Sequence, residues 1–292
     1  MWKGCLTALV TPFRGGEIDV AALERLVEAQ VAAGVHGIVP CGSTGEAATL
    51  THDEHIAVVR AVVRFARGRV PVIAGTGSNA TAEAIRLTRA AEDAGAAGAL
   101  LISPYYNKPT QEGIHDHYAA VAEATKLPLL VYNIPGRTAS NILPETIVRL
   151  SRIKNIAGVK EASGSMPQVI EILAGADPGF AVFAGDDLLT LPMMAAGGAG
   201  VICTSSNVVP RRFVELTDAL FAGDLARARG LVHDLLPLVR AITVTPEVNP
   251  IPVKTALALM GLCTEEFRLP LTRMSPERRG PLERVLREHG LV

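Results

Sequence analysis

Short apolar runs alternate with segments of helical period along about the first 220 residues, and this alternation constrains the fold more than any other feature. Runs at residues 6–10, 38–40, 70–74, 99–102, 129–132, 156–160, 181–184 and 200–203 read as strands. Between them, residues 20–33, a stretch starting near Asp53, 81–94, 111–125, 144–151 and 188–196 read as helices. The first of these puts Leu23, Leu26 and Val27 on one face. Strict alternation implies parallel strands joined by right-handed crossovers. Eight units favour a closed (β/α)8 TIM barrel over an open sheet. Residues 225–241, 252–260 and 276–288 follow as helices with no strand between them, so a barrel over residues 1–222 is expected to carry a C-terminal helical region over 223–292.

With 49% hydrophobic but only 4% aromatic residues, Ala, Val, Leu and Ile must fill the core, as they do in parallel sheets. A net charge of -1 gives no electrostatic case for nucleic acid or an anionic membrane, which leaves small molecules as the expected partners. No apolar run approaches the roughly 20 residues that span a bilayer. Met1-Trp2-Lys3-Gly4 leads into a strand without the parts of an export signal. Cys5, Cys41, Cys203 and Cys263 have no CxxC spacing and read as buried free thiols of a cytoplasmic protein.

Against this background Lys160 stands out. It ends the apolar run Ile156-Ala157-Gly158-Val159, and only six of the 28 basic residues are lysines. An ammonium at a buried strand end must be paired, solvated at a cleft or kept partly neutral. One reading is a side chain reaching to solvent; the other is a Schiff-base nucleophile. Chemistry in such barrels sits where the βα loops converge, at the C-terminal ends of the strands. The residues there are Ser43 and Thr44 after strand two, Tyr105, Tyr106 and Asn107 after strand four, Tyr132 and Arg137 around strand five, and Gly185 and Ile202 by strands seven and eight.

A hydroxyl-rich set around one amine suits class I aldolase chemistry. The amine condenses with a ketone, the iminium withdraws electrons, and the neighbouring carbon loses a proton to give an enamine. Tyr132 can shuttle protons, with Ser43 and a second tyrosine extending the relay. The Gly42-Ser43-Thr44-Gly45 backbone and hydroxyls suit a keto-acid carboxylate, and Arg137 offers a planar fork for another.

Other motifs carry less. Gly75-Thr76-Gly77-Ser78-Asn79 follows a strand, but no acidic residue ends the next strand to hold a ribose, so a tight βα turn is expected. Asp186-Asp187 lacks further ligands for a metal, and one of the pair is expected to cap a helix. His52 and His55 share a helical face without a third metal ligand and are read as exposed or regulatory.

Seven motifs resemble the dihydrodipicolinate synthases, within the N-acetylneuraminate lyase family of class I aldolases. They are Ala8-Leu9-Val10-Thr11-Pro12, Gly42-Ser43-Thr44-Gly45-Glu46, Val72-Ile73-Ala74-Gly75-Thr76-Gly77, Pro104-Tyr105-Tyr106-Asn107-Lys108-Pro109, Tyr132-Asn133-Ile134-Pro135-Gly136-Arg137-Thr138, Gly158-Val159-Lys160-Glu161-Ala162 and Asn249-Pro250-Ile251-Pro252-Val253-Lys254. The resemblance implies that Lys160 forms a Schiff base with pyruvate, without a metal or other cofactor. It also implies that Tyr132 is the general acid/base, linked through Ser43 to Tyr106 from a neighbouring subunit. Thr44 would bind the pyruvate carboxylate, Arg137 the carboxylate of aspartate semialdehyde, and Gly185 and the Ile202 carbonyl would shape the pocket.

A homotetramer made of two tight dimers is implied, and so is an L-lysine feedback site at His52, His55, Asn79, Glu83 and Tyr105. Two positions depart from the family pattern. Ser43 replaces the usual threonine, losing the methyl that restricts its rotamer, and Ala47 replaces a serine found in some lysine-sensitive relatives. Two alternatives remain at this point: a pyruvate aldolase acting on sialic or sugar acids, against which Arg137 speaks, and a non-catalytic barrel that senses a keto or amino acid.

Overall fold

Strands that are apolar on both faces need a partner at each edge and cover on each face, and a closed parallel ring inside a layer of helices supplies both. The computed structural model describes residues 2–244 and 246–292; Met1 and Thr245 lie outside the described residues. The barrel strands are β1 (Gly4–Ala8), β2 (Gly37–Val39), β3 (Ile73–Gly75), β4 (Gly98–Ile102), β5 (Leu129–Asn133), β6 (Ile156–Glu161), β7 (Ala181–Ala184) and β8 (Gly200–Cys203). They pair in the order β2-β1-β8-β7-β6-β5-β4-β3, each pair parallel. A parallel bridge from Ile38 to Val72 closes the ring between β2 and β3.

The outer helices are α1 (Val20–Ala33), α2 (His52–Ala66), α3 (Thr81–Asp93), α4 (Gln111–Glu123), α5 (Pro144–Ser151), α6 (Met166–Gly175), α7 (Thr190–Ala195) and α8 (Pro210–Phe221). Three more follow: α9 (Leu225–Thr243), α10 (Ile251–Leu259) and α11 (Pro276–Glu288). Local chemistry sets their ends. α2 begins at His52 because Thr51 Oγ1 accepts from Glu54 N while Glu54 Oε2 accepts from Thr51 N, a reciprocal capping box. α8 and a two-stranded hairpin of Phe13–Arg14 with Glu17–Ile18 are not marked by the apolar alternation. The first strand also starts earlier than the apolar run, at Gly4, and ends at Ala8.

Two apolar layers follow from the period of two along each strand. Leu6, Val39, Ile73, Leu130, Phe183 and Ile202 point inward and fill the barrel. Leu129, Val131 and Val159 point outward into the layer beneath the helices. That outer core runs on without a break into Leu231, Leu238, Val253, Leu257 and Leu286 of α9 to α11. Each buried Leu, Val or Phe contributes about 1.5–3 kcal/mol. Among the described residues no helix is long and apolar enough to cross a membrane.

Candidate active site

The register between β5 and β6 sets Lys160 beside Tyr132 and Asn133 beside Glu161. Alternation then sends Lys160 and Tyr132 into the barrel mouth and their successors outward. Lys160 is buried, and its Nζ lies 4.4 Å from the centroid of the Tyr132 ring, within cation–π range. No carboxylate among the described residues lies within ion-pair distance of it. Its amine instead faces a cavity of about 210 Å³ whose walls include Ser43, Thr44, Arg137, Gly185, Asp186 and Asn249. Burial rules out the simple solvent-reaching lysine.

The sequence pattern ends this strand at Lys160, but β6 extends to Glu161. The cause is a buried polar network: the Glu161 carboxylate accepts from Asn133 Nδ2 at 2.9 Å, Gln168 Nε2 at 3.1 Å and Ser163 N at 2.6 Å. These bonds tie the ends of β5 and β6 to α6 directly behind Lys160 and Tyr132.

The loop after β2 brings Ser43 and Thr44 to the same mouth. Thr11 Oγ1 donates to Gly45 O at 2.7 Å, and Glu46 closes the loop with a left-handed φ of 53°. Room for the turn depends on Gly75 in β3, where a Cβ would stand 2.2 Å from Cys41 O. Asn249, from the segment before α10, bridges the site: its Nδ2 donates to Thr44 Oγ1 and its carbonyl accepts from Arg137 Nη2, both at 2.9 Å. The quoted Asn249–Lys254 motif contains this residue but gives no hint of the bridge.

After β7, Gly185 leaves space for the lysine stem, since a Cβ there would lie 3.2 Å from Lys160 Cε. Asp186 Oδ1 accepts from Leu188 N at 2.9 Å, which is the expected cap. Asp187 is buried and uses both oxygens on the loop after β8, accepting from Thr204 N at 3.1 Å and Ser205 N at 2.8 Å. Ile202 packs its side chain inside the barrel and is not part of the cavity wall. Tyr106 is 90% exposed and lines neither cavity of the mouth, so no contact of it with Ser43 forms within one chain.

A second cavity, about 520 Å³, shares Ser43, Tyr132, Arg137 and Asn249 with the first and reaches out to His52, His55, Glu83 and Tyr105. Glu83 is hydrogen-bonded to Ser78 Oγ and His52 Nε2. The Ser78 hydroxyl, followed by His52, holds its carboxyl below the usual value. Asn79, expected in the same set, does not line this cavity; its carbonyl accepts from Asn107 Nδ2 at 2.9 Å. His55 corrects the expectation of exposure: it is buried, its ring bonds the Gly75 backbone, and burial pushes its pKa down. Among the described residues one group has metal-ligand spacing, Glu112, His115 and Asp116, but Arg149 already holds Glu112 through two bonds of 2.8 and 2.9 Å.

Residues 1–289 match the Dihydrodipicolinate synthetase family. The chain belongs to that family. It is 52% identical to the 4-hydroxy-tetrahydrodipicolinate synthase of Syntrophus aciditrophicus (strain SB) over 292 residues, all of both chains. Two solved structures align along the length of this family member. The Acinetobacter baumannii dihydrodipicolinate synthase complexed with pyruvate gives a TM-score of 0.97 at 42% identity and covers 100% of both chains. The Cyanidioschyzon merolae enzyme with lysine bound gives 0.96 at 38% identity, covering 100% of this chain and 99% of that one. A dihydrodipicolinate synthetase fold with Lys160 and Tyr132 inside the mouth agrees with the barrel that the sequence pattern implies.

Proposed function

We propose that this chain condenses pyruvate with L-aspartate 4-semialdehyde to 4-hydroxy-tetrahydrodipicolinate, serving lysine and diaminopimelate formation in the cytoplasm. The observation that carries the reading is the buried Lys160 amine, without a carboxylate partner among the described residues, facing a cavity it shares with Thr44 and Arg137. Lys160 attacks the pyruvate ketone, water leaves, and the iminium acidifies the methyl group, so the chemistry calls for no metal. Tyr132 and Ser43 move protons, Thr44 receives the pyruvate carboxylate, and Arg137 receives that of the second substrate. Gly185 shapes the pocket by leaving room for the Lys160 stem, while Ile202 supports it from the barrel interior without lining it.

The exposure of Tyr106 supports its supply to a second copy's relay, which makes a tight dimer the working unit and a pair of such dimers the homotetramer. Residues 1–222 hold the reacting groups, while 223–292 brace the mouth through Asn249 and Lys254. The outer cavity at His52, His55, Glu83 and Tyr105, with Asn79 outside its wall, is the place for L-lysine as feedback inhibitor.

Borohydride reduction in the presence of pyruvate, read by intact mass and peptide mapping, tests the mechanism. The expected result is one reduced pyruvate adduct on Lys160, followed by rapid turnover with aspartate semialdehyde. An adduct without that turnover moves the acceptor to sugar acids. No adduct defeats the Schiff-base mechanism and favours a sensing barrel.

A further inference from the structure

Two opposite charges line the same cavity of about 210 Å³ without meeting each other. Arg137 spends Nη2 on the Asn249 carbonyl and has no carboxylate partner among the described residues. Asp186 spends Oδ1 on Leu188 N, which leaves Oδ2 without a protein donor and without a cation among the described residues. Its neighbour Asp187 differs, because both of its oxygens are taken by the backbone of the loop after β8. Asp186 is therefore the one carboxylate of this wall with an unused oxygen. It follows Gly185 and lines the same cavity as Lys160.

We propose that Asp186 determines acceptor specificity by binding the α-ammonium group of an amino-acid aldehyde, while Arg137 takes the α-carboxylate of the same molecule. The inference rests on the reading of function above. A zwitterionic head needs one charge of each sign held apart, and a cation–carboxylate pair that had already closed would offer neither. The placement also fits the chemistry that follows carbon–carbon bond formation, because ring closure requires the nitrogen, after its ammonium gives up a proton to the Asp186 carboxylate, to attack the carbon held on Lys160 and displace the lysine amine. Desolvation, with Asp187 beside it, pushes the Asp186 carboxyl above its ordinary value, so an ammonium bound there stabilises a charge that the site itself disfavours. Sugar-acid acceptors carry hydroxyls at that position and gain nothing from the carboxylate.

The test compares aspartate semialdehyde with succinic semialdehyde, which keeps the aldehyde and carboxylate but lacks the amine, in steady-state assays with pyruvate. Asp186→Asn keeps the oxygen that caps Leu188 N and removes the charge; Asp186→Ser does the same with a hydroxyl. Both variants should raise KM for aspartate semialdehyde by about 10- to 100-fold, the range for losing one charge-assisted contact. KM for succinic semialdehyde should stay within about twofold of wild type, so the preference for the aminated acceptor collapses. Equal losses with both aldehydes, or no change with either, overturn the proposal. A wild-type chain that traps pyruvate on Lys160 yet does not turn over aspartate semialdehyde defeats the functional reading and this proposal with it. Normal wild-type turnover with unaltered variants defeats the proposal alone.

Discussion

Lys254 Nζ lies 2.5 Å from Glu46 Oε1, and neither side chain reaches solvent. The pair joins α10 to the end of the loop that carries Ser43 and Thr44, across 208 positions of sequence. Lys254 also lies 4.3 Å from the Phe13 ring centroid and 5.0 Å from that of Phe267, and Arg268 N donates to Glu46 Oε2. Burial pulls the lysine pKa down, and the attraction of Glu46 opposes this. A buried pair contributes little net stability over an apolar pair, but losing one member strands a charge. Lys254→Met should therefore cost about 3–5 kcal/mol in denaturant unfolding. Adding Glu46→Leu should restore most of it, and a double variant as unstable as the single would refute the stranded charge as the cause.

Gly185→Ala tests the space around the lysine stem. The new Cβ would stand 2.6 Å from Ala162 Cβ, 3.1 Å from Glu161 O and 3.2 Å from Lys160 Cε. Something must move, and Lys160 is the flexible neighbour. Misplacing a reacting group by about 1 Å can cost about 10²-fold. Pyruvate trapping on Lys160 should slow by that order, while circular dichroism stays near wild type. Unchanged trapping would show that Ala162 yields instead.

Much of this architecture is legible in the sequence because burial on both faces leaves a period, and the period gives strands, helices and the barrel end where chemistry gathers. Lys160 and Tyr132 are visible for the same reason: an amine and a phenol at the ends of apolar runs. The Lys254–Glu46 and Asn249–Thr44 contacts are not, because they join residues 208 and 205 positions apart whose local sequences carry no trace of one another. Glu161 reads as the charged end of a strand, and only the approach of Asn133 and Gln168 turns it into a buried anchor. His55 reads as exposed from its helix face, yet the Gly75 backbone waits for its ring.

Ser43, proposed as a relay residue, stands where the family resemblance leads one to expect threonine. If its hydroxyl passes protons between Tyr132 and a partner tyrosine, Ser43→Ala should lower kcat by about 10²-fold or more. Ser43→Thr should keep kcat within a few-fold, since the hydroxyl stays and the methyl only narrows its rotamers. Equal losses in the two variants would take Ser43 out of the relay.

Glu83 is the residue proposed to hold the ammonium group of L-lysine in the outer cavity. Hydrogen bonds from Ser78 and His52 hold its carboxyl below the usual value, so it is ionised at neutral pH and suited to an ammonium group. Millimolar L-lysine should inhibit partially, and Glu83→Gln should weaken that inhibition by about tenfold, the cost of one charge-assisted contact. A flat rate across the titration with the unaltered enzyme would remove this site.

His117 sets an acid limit on stability. The side chain is buried against Tyr118, Thr81 Oγ1 lies 3.0 Å from its Nδ1, and Nε2 has no partner among the described residues. Burial pushes its pKa down from 6.5 to about 4, so the folded chain holds it neutral while the unfolded chain protonates it. Between those values the unfolded state binds more protons, and stability rises with pH. The contribution is fully present above about pH 6.5, is lost as the pH falls towards about 4, and amounts to ~3 kcal/mol at 1.36 kcal/mol per tenfold change in proton affinity. Glu54, held down to about 2 chiefly by its bonds to Arg268, loses its own contribution lower, from about pH 4.5 downward. The two windows separate in unfolding curves recorded at half-unit steps from pH 7 to pH 2. His117→Gln should reduce the slope above about pH 5, leaving the part due to His55, and should leave the fall below it, whereas an unchanged slope in the variant would assign the upper window to other groups.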